Sequence, residues 1–379
     1  MRFSRVLILL LGAYAALTVW RSRGAISNTL LILLVGAVLV RLVWRTVGRS
    51  VLGAMVTAIF ALTFLGAALP GRVAAPGSAH ASRYVALGDS YASGEGARAA
   101  GQPYDTRCWL GPTGNRFGSP ACHRSVGAYP GRLAGTLASG DFLFAACSGA
   151  STEDLTGPSR HAGEPAQLDA LRGFTEVGPV DLVTLTTGGN DLGFADVLAV
   201  CVAGSCPSPD PFGPGGPLSR AAVIEGVAGA VGAVRSVVGP DVPVLLVGYP
   251  QILPPSTAAR CLGLVGLSPP ELDGLRRATR VVDQAIRAAA NRSGAWYVDV
   301  LGAFGGHQIC SPHPYAHGLT VPDGTQQPAI VAPDSFHPNP EGHACLADTL
   351  LAQYPDPAAL AGTSTPDAQP AVGSAGACP

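Results

Sequence analysis

Residues 84–96 read YVALGDSYASGEG, and the stretch changes character abruptly after its first four residues. Those four residues suit a buried strand, whereas the glycine, aspartate and serine that follow suit a tight turn. A turn accounts for Gly88 and Asp89, because both residue types tolerate tight backbone geometry. It does not account for Ser90, so the role of this hydroxyl has to be sought in the rest of the chain.

Five apolar runs, including the one that precedes Ser90, predict the strands of one sheet. They lie at about 83–87, 141–146, 181–186, 242–248 and 296–300. The runs are mostly unbroken rather than alternating, which predicts a parallel sheet covered on both faces. Helical candidates alternate with them, at about 128–138, 165–172, 218–238, 269–292 and 340–353. This alternation predicts an α/β fold with a doubly wound, five-stranded parallel sheet.

Polar motifs follow four of the predicted strands. Ser90 follows the first strand, CSGAS (147–151) the second, TTGGND (186–191) the third, and DSFHPN (334–339) the last after a long loop. Ligands of such sheets bind beyond the carboxyl ends of the strands. We therefore expect these four segments to share one edge of the sheet.

The residue types in these segments suit nucleophilic catalysis. A serine hydroxyl is a weak nucleophile that needs a general base, and the base needs an orienting group. His337 suits the base because a histidine pKa is about 6.5, and the carboxylate of Asp334 in the same loop can accept a hydrogen bond from Nδ1–H. Attack on a carbonyl creates an oxyanion, for which the Ser90 N–H, Gly149 and the Asn190 amide are candidate donors.

These segments resemble the SGNH hydrolases, also called the GDSL lipase/esterase family, over the whole of residues 83–354. Gly88-Asp89-Ser90 matches the first block of the family, with Tyr91 where the name-giving leucine would be. The resemblance is nearest to secreted actinobacterial esterases and lipases. It implies a flavodoxin-like, three-layer α/β/α sandwich that acts without a metal or an organic cofactor.

The resemblance also implies the roles of single residues. Ser90 would be the nucleophile, His337 the base and Asp334 the group that orients His337. Ser90, Gly149 and Asn190 would form the oxyanion hole. Some relatives lack the carboxylate and use a backbone carbonyl instead, whereas this sequence keeps Asp334.

Other histidines compete with this interpretation. His343 is an alternative base, but it lies inside a predicted helix. His307, His313 and His317 have spacings that zinc ligands can have, yet two prolines among them and the lack of a carboxylate favour a loop over the cleft. The G-x-S-x-G elbow of α/β-hydrolases does not fit, because residue 92 is alanine.

Nine cysteines all lie after residue 100, and none has the C-x-x-C spacing of a zinc site. They indicate disulfides in an oxidising compartment, with buried thiols as the alternative. The family resemblance implies the pairs Cys122–Cys147, Cys201–Cys206 and Cys261–Cys310. It leaves Cys108, Cys345 and Cys378 unassigned, and a Cys108–Cys122 pair stays open.

The first 83 residues contain nine arginines and no acidic residue. Apolar stretches at about 6–20, 28–44 and 51–69 predict about three membrane-spanning segments, the first of them short. The arginines place the chain after the third segment outside the cell. Alternatively, 51–69 belongs to a signal peptide cleaved after about Ala81. Both interpretations export the domain, either tethered to the cell membrane or secreted.

The expected organisation is therefore a hydrophobic region at 1–69, a linker at 70–82, a catalytic domain at 83–354 and a disordered tail at 355–379. Residues 84–379 carry 15 basic and 25 acidic residues, which disfavours nucleic acid as a partner. The chain has no lysine, which excludes a phosphate-binding Walker lysine and a Schiff-base lysine. We expect a monomeric catalytic domain.

The sequence thus predicts an exported serine ester hydrolase. Its expected substrate is a small acyl ester, a lipid or an acylated glycan, and loops 96–125 and 201–218 are expected to shape the pocket. The alternatives are an O-acyltransferase or O-acetylesterase that acts on cell-surface glycans, and a non-catalytic glycan or lipid binder. Hydrolysis leads because three apolar segments are too few for an acyl-carrying membrane domain.

Overall fold

A computed structural model describes residues 81–378 of the chain, apart from short gaps. The gaps are 99–102, 112–115, 194–196, 199, 202–218, 259–260, 262–263, 265, 321–331 and 366–368. The predicted membrane-spanning segments and nearly all of the linker lie outside the described residues, and they stay predictions.

One mixed sheet forms the centre of the domain. Its strands are β1 (Arg83–Gly88), β2 (Arg107–Leu110), β3 (Arg116–Phe117), β4 (Asp141–Phe144), β5 (Leu182–Thr186), β6 (Val244–Val247) and β7 (Trp296–Val298). The order across the sheet is β3-β2-β4-β1-β5-β6-β7. The five predicted strands are confirmed and run parallel, with Tyr84 of β1 opposite Phe142 and Leu182. The prediction of a purely parallel, five-stranded sheet is wrong, because the short strands β2 and β3 extend it in antiparallel fashion.

Seven helices are described in full. They are α1 (Ser90–Ser93), α2 (Tyr129–Thr136), α3 (Glu153–Thr156), α4 (Gln167–Thr175), α5 (Arg220–Val238), α6 (Pro269–Ser293) and α7 (Pro340–Gln353). The five longer ones match the predicted helices closely. The start of α6 is encoded locally, because Ser268 and Glu271 form a capping box around Pro269. Asn339 begins α7 in a similar way by accepting the N–H of Gly342.

The sheet separates two hydrophobic cores, so the domain has three layers. Side chains of β1 alternate between them: Tyr84 and Ala86 pack on the side of α2 and α7, whereas Val85 and Leu87 pack on the side of α4, α5 and α6. Because both faces of the strand are buried, its sequence is apolar without alternation. The predicted three-layer arrangement is confirmed.

The chain after α7 packs on the domain, so the predicted disordered tail is wrong for the described residues 355–365 and 369–378. A disulfide joins Cys345 in α7 to Cys378. The Gln369 side chain accepts the N–H of Tyr297 in edge strand β7 and donates to the carbonyl of Ala295, which directly precedes that strand. The buried Asp299 carboxylate accepts backbone N–H groups of residues 373 and 375. A composition rich in Ala, Pro, Ser and Gly is misleading here, because one covalent tether and a few polar anchors order the segment.

Helix α5 is the one described helix whose length and apolar composition would also suit a membrane span. Its side chains Val223, Val227 and Val231 are buried in the core beside the sheet. The apolar side chains of α5 therefore form part of the core of the domain.

Candidate active site

The turn after β1 presents Ser90. Gly88 has φ +125°, and a Cβ there would lie 2.0 Å from the carbonyl oxygen of Thr186, so this position requires glycine. Asp89 caps α1 by accepting the N–H of Tyr91 at 3.0 Å. Ser90 is thereby the first residue of α1, at the carboxyl edge of the sheet.

His337 lies next to Ser90, although 247 residues separate the two. The ring atom Nε2 is 2.8 Å from the Ser90 Oγ. The loop that carries His337 is held by a backbone bond from the N–H of His317 to the carbonyl of His337, at 2.9 Å. The fold thus brings together the two residues that the sequence singled out first.

Asp334 does not take the position that the sequence predicted, and the expectation that its carboxylate orients His337 is wrong. Nδ1 of His337 lies 2.9 Å from the backbone carbonyl of Ser335. The Asp334 carboxylate instead accepts the hydroxyl of Tyr104 at 2.6 Å and pairs with Arg98 at 3.4 Å. The loop is a tight turn in which the N–H of His337 bonds the Asp334 carbonyl, and this turn brings a backbone carbonyl to the ring.

Burial of the His337 ring lowers its pKa below the ordinary value, because a buried imidazolium loses hydration. The negative charge of Glu95, the hydrogen bond to the Ser335 carbonyl and the charge of Asp334 oppose this effect. Burial dominates, so the imidazole is neutral at physiological pH. A neutral ring with Nε2 next to a hydroxyl is the state that a general base requires.

The two other predicted site residues lie on loops that touch each other. The Asn190 side chain donates to the carbonyl of Ala150, the residue after Gly149, at 2.9 Å. Gly149 itself has φ +76°, a conformation that favours glycine. These loops follow β4 and β5, which flank β1 in the sheet.

Tyr249 connects two of the predicted motifs, and sequence reasoning missed it. Its hydroxyl donates to the buried carboxylate of Asp89 and accepts the N–H of Gly189 at 3.0 Å. Burial raises the pKa of Asp89 to about 7, although the bonds from Tyr249 and Tyr91 act in the opposite direction. The position of Tyr249 in the sequence could have indicated it, because Tyr249 follows β6 and so lies at the sheet edge that carries the other motifs.

A cavity of about 280 Å³ opens beside Ser90. Ser90, His337 and Asn190 lie along its polar side. The rest of its wall is mainly apolar and includes Leu198, Ile252, Leu253, Val282 and Phe336.

Disulfides staple the loops around this edge. The predicted pairs Cys122–Cys147 and Cys261–Cys310 are confirmed, and the first rules out the alternative Cys108–Cys122 pair. Cys201 is disulfide-bonded, whereas its predicted partner Cys206 lies outside the described residues. Cys108 is buried in β2.

The other histidines have structural partners. Nδ1 of His343 accepts the N–H of Tyr129 at 3.2 Å, and burial lowers the pKa of His343 to about 3. His307 and His317 bond backbone carbonyls, of His313 and of Gly96 respectively. Over the described ranges, no three His, Cys, Asp or Glu side chains are grouped as metal ligands would be.

The chain is similar to known proteins over most of its length. The model of the GDSL-like Lipase/Acylhydrolase family matches residues 86–345, which include both Ser90 and His337. Lipase 1 of Streptomyces coelicolor is 30% identical over 289 residues, which cover 74% of this chain and 90% of that lipase. The lipase of Streptomyces rimosus is 30% identical over 268 residues, or 70% and 83% of the two chains.

Among solved structures, the crystal structure of phospholipase A1 from Streptomyces albidoflavus has 29% sequence identity and a TM-score of 0.49. The match covers 72% of this chain and 99% of the phospholipase. On the strength of the family match and the Streptomyces coelicolor relative, the chain belongs to the GDSL-like lipase/acylhydrolase family and is a carboxylic ester hydrolase.

Proposed function

We propose that the protein is an exported serine esterase that cleaves esters of medium-length fatty acids through Ser90 and His337. The observation that carries this proposal is the 2.8 Å contact between Ser90 Oγ and His337 Nε2 beside an apolar cavity. A neutral imidazole in this position can accept the proton of the hydroxyl and so activate the serine as a nucleophile.

In the proposed reaction, Ser90 Oγ attacks the carbonyl carbon of the ester while its proton moves to Nε2 of His337. The Ser335 carbonyl holds the proton on Nδ1 and so keeps Nε2 directed at Ser90. The bond to the alcohol then breaks, and His337 returns its proton to the leaving oxygen. Water, activated by His337, cleaves the acyl-enzyme and regenerates Ser90.

The oxyanion of the tetrahedral intermediate requires fixed donors. We assign this role to the backbone N–H groups of Ser90 and Gly149 and to the side-chain amide of Asn190. Each such donor contributes roughly 2.7–4 kcal/mol in the transition state. The contact between the Gly149 and Asn190 loops supports this assignment, because it fixes the positions of the two donors relative to each other.

The cavity supports an acyl chain as the apolar part of the substrate. An apolar cavity of about 150 Å³ holds benzene, so about 280 Å³ corresponds to roughly ten to twelve carbon atoms. An acetyl group would leave most of this volume unfilled, which disfavours the O-acetylesterase alternative. The relatives named lipases in Streptomyces coelicolor and Streptomyces rimosus agree with a fatty acyl substrate.

Three disulfides with both cysteines among the described residues support the proposed export, because such bonds persist in oxidising compartments. The arginine-flanked apolar stretches of the first 69 residues agree with it. The domain would then act outside the cell, tethered to the membrane or released from it.

The test uses the full-length protein in detergent and p-nitrophenyl esters from acetate to palmitate. We expect hydrolysis to be fastest at medium chain length and to be abolished by Ser90→Ala. Ser93→Ala is the matched control, because Ser93 is a buried serine in the same short helix. Hydrolysis by Ser90→Ala at the wild-type rate would refute the proposal. An added alcohol acceptor measures transfer, and a product that is mainly the transferred ester would favour the acyltransferase.

A further inference from the structure

Glu95 is a buried carboxylate beside the proposed nucleophile, and the mechanism above does not use it. It is 1% exposed and lies on the turn that ends α1, where its N–H bonds the carbonyl of Ser90 at 3.1 Å. Burial of a carboxylate without partners costs a large free energy, so Glu95 requires hydrogen-bond donors or positive charges around it. The identity of these partners indicates the role of Glu95.

Three segments supply those partners. Nδ1 of His123 lies 2.7 Å and 2.8 Å from the two carboxylate oxygens of Glu95. The hydroxyl of Ser148 donates at 2.5 Å, and the hydroxyl of Tyr104 lies at 3.2 Å. Burial raises the pKa of Glu95, but the bond from His123, the proximity of His337 and the bond from Ser148 lower it by more. Glu95 is therefore ionised at neutral pH.

A disulfide holds two of these partners in place. His123 directly follows Cys122, Ser148 directly follows Cys147, and the two cysteines are bonded. Ser148 also directly precedes Gly149. The Glu95 carboxylate thus connects the turn of the proposed nucleophile to the loop of a proposed oxyanion donor.

The charge of Glu95 has a second consequence. When His337 accepts the proton of Ser90, it becomes a partly buried cation whose Nδ1 faces the neutral carbonyl of Ser335. The carboxylate that the loop could offer, Asp334, is engaged by Tyr104 and Arg98. Glu95 lies near this ring, because its N–H bonds the carbonyl of Ser90 and the Ser90 Oγ is 2.8 Å from Nε2 of His337. The negative charge of Glu95 raises the pKa of His337.

We propose that Glu95 is the positioning carboxylate of this active site: its charge stabilises the His337 imidazolium, and its hydrogen bonds hold the Ser90 turn against the Gly149 loop. The inference rests on the proposed roles of Ser90 and His337. The titratable residues around His337 include Tyr91, Glu95, His317, Asp334 and His343. Those around Glu95 are Arg98, Tyr104, His123 and His337.

The test is Glu95→Gln in the full-length protein, since glutamine keeps the size of the side chain and removes its charge. We expect kcat/KM for a medium-chain p-nitrophenyl ester to fall by about 10-fold or more, mainly through kcat. The acid limb of the pH profile should move to lower pH, because the charge that raises the His337 pKa is gone. Glu95→Asp keeps the charge, so its limb should stay near the wild-type position. Asp334→Asn is the matched control and should move the limb less than Glu95→Gln does.

A Glu95→Gln protein with wild-type kcat/KM and an unmoved limb would overturn the inference. A lower kcat without any shift of the limb would assign Glu95 a structural role and would overturn it as well. If circular dichroism shows that Glu95→Gln does not fold, Ser148→Ala replaces it, because this change cuts the tie to the Gly149 loop. Because Ser148→Ala leaves the charge of Glu95 in place, we then expect kcat to fall several-fold while the acid limb stays near its wild-type position. An unchanged kcat, or a limb that moves, would count against the inference.

Failure of the proposed function is a separate outcome. An inactive wild-type protein, or an active Ser90→Ala variant, would remove the proposed function and this inference together. An active wild type with an inactive Ser90→Ala variant leaves the Glu95 comparison to decide the inference alone.

Discussion

Nδ1 of His337 lies 2.9 Å from the backbone carbonyl of Ser335, two residues earlier in the chain. The carbonyl is fixed by the turn that contains it, so it selects the tautomer in which Nε2 faces Ser90. A neutral carbonyl stabilises an imidazolium less than a carboxylate would, because it carries no net charge. This relationship makes the loop backbone, rather than the Asp334 side chain, the partner that orients the proposed base.

The first prediction therefore concerns Asp334→Asn. We expect kcat to fall by less than about 10-fold, whereas loss of the carboxylate in a Ser-His-Asp triad lowers kcat by about 10⁴. Steady-state hydrolysis of p-nitrophenyl esters measures the difference, with His337→Ala as the variant that loses nearly all activity. A decrease of about 10³-fold or more for Asp334→Asn would restore the carboxylate to the role that the sequence suggested.

The second prediction concerns pH. The neutral form of His337 is the proposed base, and burial lowers the pKa of His337, so the ring stays neutral to a lower pH than an exposed histidine does. We expect kcat/KM to be lost as pH falls, with a midpoint below about 6.5, the ordinary histidine value. The profile between about pH 4 and pH 8 gives this midpoint. A midpoint above the ordinary value would mean that the charges around the ring outweigh its burial.

The third prediction is for Tyr249→Phe. The change leaves the Asp89 carboxylate and the Gly189 N–H without the hydroxyl that bonds both. We expect a loss of about 1–3 kcal/mol in the free energy of unfolding, together with a lower kcat, because the adjacent Asn190 loses its support. Tyr354→Phe is the control, since its hydroxyl bonds the Tyr297 carbonyl away from the site. Equal effects of the two variants on kcat would contradict a role for Tyr249 at the site.

The fourth prediction concerns the segment after α7. The Cys345–Cys378 disulfide closes a loop with a sequence separation of 33. Replacing both cysteines by serine should lower the free energy of unfolding by about 2–4 kcal/mol, because the unfolded chain regains the freedom that the cross-link removes. Urea titration measures the change. Identical midpoints for the variant and the wild type would mean that the hydrogen bonds of Gln369 and Asp299 suffice to hold the segment.

The fifth prediction concerns the cavity. Val282 of α6 lines its wall, and Val282→Phe should fill part of the volume. We expect the preferred acyl chain to become shorter, with hydrolysis of short esters retained. Ala288→Phe is the matched control on the same helix, since Ala288 lies outside this cavity. A chain-length profile that Val282→Phe leaves unchanged would place the acyl chain elsewhere.

Local patterns in the sequence predicted the main elements of this domain. The unbroken apolar runs marked the five parallel strands, because residues buried on both faces need no alternation. Motifs that follow such strands share one edge of the sheet, so the proximity of Ser90 and His337 could be expected from their order alone. The antiparallel strand β2 escaped notice, since Arg107–Leu110 is short and begins with an exposed, charged residue.

Thus the sequence by itself determined the class of fold and the sheet edge that carries the proposed site, and it singled out the serine and the histidine proposed as nucleophile and base, because hydrophobic periodicity and turn chemistry are local properties. Only the tertiary structure decided what surrounds them. The turn at 334–337 selected the carbonyl of Ser335 over the carboxylate of Asp334, and the Cys122–Cys147 link brought His123 and Ser148 to Glu95. The choice of hydrogen-bond partners depends on atomic positions to within a fraction of an ångström. Such precise positions arise only when segments that are distant in the sequence pack together.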